Sequence, residues 1–235
     1  MRDGLKKLLI LKISSMVRII PALLAKDKDD FLHRAKIVAD IVDLVQIDVL
    51  DGTFLPEKSW AKADDVGKLK LPLFFEIHLM VNHPETKIAE WAKLADRIFF
   101  HFEAAKNSEV CISEIKRYNK KAGLAINPET TLADIIHLLP TIDCLLVMGV
   151  YPGKMGLSFL PETIEKIKQI KNQFPKLEIE VDGGVKEEHL LPLYEAGVRD
   201  FVIGSGIFKS PNPAAALKEY LKIVEQCDKR SALKT

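Results

Sequence analysis

Two aspartates and a histidine near the ends of apolar runs carry the chemistry open to this chain. Asp48 lies in VQIDVLDG (45–52), His78 in EIHLMV (76–81) and Asp182 in EVDGGV (180–185). Side chains alternate along a strand. Gln46 and Asp48 therefore share a face with Leu50, Glu76 and His78 share one with Met80, and Asp182 shares one with Glu178 and Glu180. Acids sit inside apolar runs only where something uses or pairs them. Two carboxylates and an imidazole brought together can hold a divalent cation such as Zn²⁺, Mn²⁺ or Fe²⁺. They can equally pass protons.

A second set of residues suits an anion. PGKMG (152–156), DGG (182–184) and GSG (204–206) expose backbone N–H groups, and such nests or helix starts bind phosphate. Gly153, Lys154, Met155, Gly156, Gly183, Gly184, Gly204 and Ser205 are the candidate phosphate- and substrate-binding residues. A phosphate at one end and two acids across from it describe a phosphorylated small substrate undergoing proton transfer. His101 and Glu103 in HFEA and Asn127-Pro128 in AINPET stand at further strand ends. Asp51 before Gly52 reads as a turn residue. Glu76 and Glu180 read as groups that satisfy interior hydrogen bonds, and His33, His83, His137 and His189 as surface residues.

The elements that must position these groups repeat. Strand candidates are 17–24, 44–50, 73–80, 97–102, 122–127, 144–150, 177–182 and 200–205. Helical stretches follow: KDDFLHRAKIVADI, PETKIAEWAKLAD, SEVCISEIKRYNKK with Ser108 as N-cap, TLADIIHLL, PETIEKIKQIKNQF, KEEHLLPLYEAG and NPAAALKEYLKIVEQ. Near-continuous apolar strands alternating with helices predict parallel strands with helices outside. The fold expected is a (β/α)8 TIM barrel, whose chemistry sits at the C-terminal strand ends; a doubly wound open sheet is the runner-up.

With 235 residues, 48% hydrophobic and 29% charged, the chain is long enough for one large folded domain. Residues 17–235 are expected to form a single domain, with 1–16 an N-terminal extension of unassigned role and Met16 a candidate start. The extension's LLIL is too short for a signal sequence, and no run approaches the roughly 18 apolar residues of a membrane span. A net charge of +1 argues against a nucleic-acid partner. Cys111, Cys144 and Cys227 are odd in number and form no CxxC pair, which argues against disulfides and structural zinc and for the cytoplasm.

Taken in order, IIPALL, IDVLDGTFLP, EIHLMV, HFEA, AINPET, VMGVYPGKMG, EVDGGV and VIGSGIF resemble the ribulose-phosphate 3-epimerase family over about residues 17–225. The resemblance implies a TIM barrel of the ribulose-phosphate-binding type. It implies a cytoplasmic isomerase of the pentose phosphate pathway, interconverting D-ribulose 5-phosphate and D-xylulose 5-phosphate by two-base proton transfer through an ene-diolate. Carried over residue by residue, Asp48 and Asp182 are the acid–base pair and, with His78, metal ligands. Met80 and Met148 wall the site. A homo-oligomer is implied as well.

Departures from the family pattern fall at three places. Its strand-2 His-x-Asp is Gln46-Ile47-Asp48 here, its strand-1 serine is Ala22, and its NPGFGG loop is YPGKMG. Gln46, as fourth metal ligand, offers only a neutral amide oxygen, which predicts a metal site weakened, shifted toward Mn²⁺ or Mg²⁺, or lost. These departures motivate two alternatives: an epimerase of another ketose phosphate, and a non-catalytic phosphosugar-binding barrel with a degraded metal site.

Overall fold

Each of the eight expected runs becomes a strand. They are β1 (Arg18–Leu23), β2 (Leu44–Leu50), β3 (Phe74–Met80), β4 (Arg97–His101), β5 (Lys121–Ile126), β6 (Cys144–Met148), β7 (Glu178–Asp182) and β8 (Asp200–Ile203). The computed structural model describes residues 17–152 and 157–232. The strands close into a parallel barrel in chain order, β8 pairing with β1. The expected TIM barrel is therefore observed, and the open sheet is excluded. The extension 1–16 and the candidates Gly153, Lys154, Met155 and Gly156 lie outside the described residues.

Outside the ring run α1 (Lys28–Val38), α2 (Ala63–Lys68), α3 (Ile88–Trp91), α4 (Ser108–Arg117), α5 (Leu132–Ile135), α6 (Glu162–Gln173), α7 (Glu187–Glu195), α8 (Ser205–Phe208) and α9 (Pro213–Ala232). Three local expectations need correcting. TLADIIHLL is helical only over α5 (Leu132–Ile135) and then gives way to a turn and the 3₁₀ turn Leu139–Thr141. The stretch PETKIAEWAKLAD breaks into a 3₁₀ turn, Pro84–Thr86, and the four-residue α3. There the Thr86 hydroxyl donates to the His83 carbonyl at 2.9 Å, a local bond that competes with the helical ladder. The N-cap of α4 is Asn107, not Ser108: the Asn107 side chain accepts from the Val110 N–H at 2.9 Å. No helix among the described residues is long and apolar enough to cross a membrane.

Period-two alternation divides the interior. The main apolar core lies between sheet and helices. Inside the barrel, Phe99, Ala125, Cys144, Leu146 and Met148 form one apolar cluster, and Ile20, Ala22 and Val202 another. Toward the N-terminal ends of the strands the interior is charged. Arg97 pairs with Glu76 and Glu180, and with Asp200 at 3.1 Å; Arg18 donates to Asp200 at 2.7 Å. Glu76 and Glu180 thus do satisfy interior ion pairs, as expected. Cys144, Glu180 and Asp200 also converge within 4.8 Å, but the Arg97 guanidinium already pairs with both acids.

Candidate active site

Parallel register sets the level of each functional side chain. Asp48 on β2 pairs with His78 on β3, and Met148 on β6 pairs with Asp182 at the end of β7. β8 and β1 separate β7 from β2, so the two acids reach the C-terminal mouth from well-separated strands. Asp48 and His78 are buried, and Asp182 is half-buried. The three residues that the sequence singled out do meet. His78 Nδ1 lies 3.4 Å from Asp48 Oδ1 and 3.5 Å from Asp182 Oδ2.

Gln46 completes the group in an unexpected way. Its amide nitrogen, not its carbonyl, faces the others. Nε2 donates to Asp48 Oδ1 at 2.7 Å and to Asp182 Oδ2 at 2.8 Å, and it lies 3.4 Å from His78 Nδ1. One amide nitrogen thus sits among the three atoms that would ligate a metal, all of which lie within 4.8 Å of one another. The Gln46 carbonyl oxygen is buried without a protein partner. A half-turn of the amide exchanges the two atoms and puts that orphaned oxygen where the nitrogen is. Asp48, His78, Asp182 and, after that turn, Gln46 fit a divalent cation.

The electrostatics follow from burial. Desolvation pushes the Asp48 carboxyl above the usual carboxylate range, and nearby Asp182 adds to this. Hydrogen bonds from His78 and Gln46 oppose the shift without cancelling it. An acid that keeps its proton closer to neutral pH suits proton transfer. Burial alone would lower His78, but its hydrogen bonds to Asp182 and Asp48 and their charges lift it to about 9. Behind His78, His101 Nε2 approaches its Nε2 at 2.9 Å, and Glu103 Oε2 lies 3.3 Å from His101 Nδ1.

The other candidates are placed as follows. Met80 and Met148 are buried; Met80 shares the face of His78, and Met148 packs with Leu146 inside the barrel. Gly183 and Gly184 follow β7 with positive φ, +104° and +68°. Gly204 and Ser205 follow β8, the neighbouring strand. A Cβ on Gly184 would come within 2.7 Å of the Phe159 backbone nitrogen, so close packing also requires glycine there. Asp51 is a turn residue: its carboxylate accepts from the Thr53 N–H at 3.0 Å and from the Thr53 hydroxyl. His33, His83 and His137 are exposed, but His189 is half-buried, packs on Phe159 and accepts from the Lys186 N–H at the start of α7. Ala22 is buried beside Gln46 in register.

The charged α6 stretch EKIKQIK reads from the sequence as solvated outer surface, but Lys166 within it is half-buried. Its Nζ donates to the carbonyls of Pro128 and Thr130 and so clamps the loop after β5. A lysine in an amphipathic helix carries no signal of this, because the contact depends on how α6 packs.

Comparison with known proteins agrees with the geometry. Residues 18–208 match the Ribulose-phosphate 3 epimerase family. The ribulose-phosphate 3-epimerase of Synechocystis sp. is 33% identical over 215 residues, 87% of this chain and 93% of its own. That of Buchnera aphidicola subsp. Acyrthosiphon pisum is 34% identical over 196 residues, 80% and 86% of the two chains. Among solved structures, 3-hexulose-6-phosphate synthase from Salmonella typhimurium superposes with a TM-score of 0.70, over 89% of this chain and 99% of its own. At 16% identity that likeness establishes the shared barrel and no more. The family match spans nearly the whole barrel and includes the strands that carry Asp48, His78 and Asp182, so the chain belongs to the ribulose-phosphate 3-epimerase family.

Proposed function

We propose that this chain interconverts D-ribulose 5-phosphate and D-xylulose 5-phosphate, with Asp48 and Asp182 as the two bases. The observation that carries this reading is the meeting of the two carboxylates over one amide nitrogen, at 2.7 and 2.8 Å. Inverting a carbon next to a carbonyl needs a proton taken from one face and another returned to the opposite face. Gln46 engages one oxygen of each carboxylate, leaving each acid a second oxygen for the substrate. Asp48, raised by burial, is the group better suited to arrive protonated and donate. The acids exchange roles in the reverse direction.

The ene-diolate intermediate carries charge on oxygen, and fixed positive groups must stabilise it. His78, lifted to about 9 and lying beside both acids, supplies such a group. Asp48, His78, Asp182 and the turned Gln46 carbonyl would hold a divalent cation, which when bound supplies Lewis-acid stabilisation of the same oxygen. Three oxygens and one nitrogen suit Mn²⁺ or Mg²⁺ better than Zn²⁺. Met80 and Met148 would wall the site with polarisable, low-dielectric surface. The substrate phosphate is assigned to Gly183, Gly184, Gly204 and Ser205 after β7 and β8, where barrels of this kind bind phosphate, and to Gly153–Gly156 by motif. The same reading makes the protein a homo-oligomer of the cytoplasm, which light scattering and cell fractionation test.

A coupled assay for xylulose 5-phosphate, run with and without Mn²⁺, Mg²⁺ or Zn²⁺, tests the assignment. Wild type should turn over, while Asp48→Asn and Asp182→Asn should each lose at least about 10³-fold in kcat at preserved fold. Turnover near wild type in either variant would refute the two-base reading.

A further inference from the structure

We propose that His101 and Glu103 are positioning residues that fix the tautomer of His78. The proposal rests on the reading of His78 as part of the reaction site, and its test is kept separate from activity. Two imidazole nitrogens face each other at 2.9 Å, His78 Nε2 and His101 Nε2. A hydrogen bond there requires a proton on one of them and a lone pair on the other. With both rings neutral, the pair alone does not choose which.

Glu103 makes the choice. Its Oε1 accepts from the Asn127 N–H at 2.8 Å and from the Thr130 hydroxyl. Its Oε2 faces His101 Nδ1 at 3.3 Å. These contacts, with the His101 bond, hold Glu103 as a carboxylate: burial would raise it, yet it lies below its usual value. A carboxylate only accepts, so His101 carries its proton on Nδ1. His101 Nε2 is then bare and accepts from His78 Nε2–H. The outcome is that His78 turns Nδ1 toward Asp48 and Asp182 with no proton required on it by the relay, so that it can either ligate a cation or donate to the acids. The ring of Phe54 packs against His101 with centroids 4.9 Å apart, and His101 is wholly buried. Lys166 holds the carbonyls of the loop that presents Asn127 and Thr130.

Replacing Glu103 by glutamine separates positioning from mere packing. The Asn127 N–H requires an acceptor, so the glutamine carbonyl must take the Oε1 place. Its NH₂ then faces His101 Nδ1 as a donor and reverses the relay. His101 would carry its proton on Nε2 and push the His78 proton to Nδ1, removing the lone pair that a cation needs. Glu103→Ala imposes no direction.

The experiment records ¹⁵N–¹H imidazole spectra of the metal-free full-length protein above about pH 9, where the His78 ring is neutral, beside Mn²⁺ titrations near neutral pH followed by electron paramagnetic resonance. Wild type should show His101 protonated on Nδ1, and Glu103→Gln should show it on Nε2. Mn²⁺ affinity should fall about 10–100-fold in Glu103→Gln and less in Glu103→Ala. A packing role predicts the reverse order, because glutamine keeps the shape. His101 protonated on Nε2 in wild type, or an unchanged tautomer in Glu103→Gln, overturns the proposal. Should wild type bind no Mn²⁺, the spectra alone decide it. Should the expected tautomers accompany an inactive wild type, the epimerase reading fails by itself.

Discussion

At the scale of single residues, the site turns on where Gln46 puts its two polar atoms. Its nitrogen takes the place among Asp48, His78 and Asp182 that a cation would claim, and its oxygen is left without a partner. Gln46→His should therefore tighten Zn²⁺ binding by at least about tenfold, since imidazole suits that ion better than an amide oxygen. Calorimetry on metal-free protein checks this, and equal affinities would show that position 46 does not touch the metal. His78 gives a pH signature. Its folded value is raised to about 9 from an ordinary 6.5, so folding takes up a proton between those pH values. Its stabilising effect is whole below about pH 6.5 and is lost as pH rises through about 9. The Tm of metal-free wild type should exceed that of His78→Asn by several degrees at about pH 6, with the margin shrinking by about pH 9.5. Asp48, His78 and Asp182 were legible in the sequence because polar residues in apolar strands are conspicuous. The direction in which the Gln46 amide points was not, since it depends on partners 32 and 136 residues away.

At the scale of elements, strands and most helices were legible because each helix follows an apolar run of matching period. What was not legible was local: α2, the break at Pro84–Thr86, and the shift of the α4 cap by one residue. Such ends are set by side-chain hydrogen bonds worth about 1 kcal/mol, below what periodicity reveals. The end of β6 shows how an element places a proposed catalytic group. The Gly149 N–H donates to the Asp182 carbonyl at 2.6 Å, and a Cβ at Gly149 would come within 2.4 Å of the Gly183 carbonyl oxygen. Gly149→Ala should thus displace the β7 end, costing about 1–3 kcal/mol in stability and at least about tenfold in kcat. Urea melts and the coupled assay measure both; unchanged kcat would show that this contact does not set the position of Asp182.

At the scale of the whole molecule, the barrel keeps reaction and closure at opposite ends. Arg97 ties β4 to Glu76 on β3, Glu180 on β7 and Asp200 on β8, while Arg18 ties β1 to Asp200. Breaking a buried ionic group by removing one partner costs about 3–5 kcal/mol, so Arg97→Ala should lower the urea midpoint by that equivalent. Mild acid should restore part of the loss by protonating the stranded carboxylates. The barrel itself was readable from eight alternating units, but this ion cluster was not, since Arg97 opens a strand and looks like a surface residue in sequence. Two acids serving one carbon is the arrangement that solvent isotope incorporation tests most directly. D-ribulose 5-phosphate turned over in ²H₂O should yield D-xylulose 5-phosphate carrying solvent deuterium at the inverted carbon, with Asp48→Asn and Asp182→Asn each abolishing that product. Product formed without deuterium, or deuterated product formed at the wild-type rate by either variant, would contradict it.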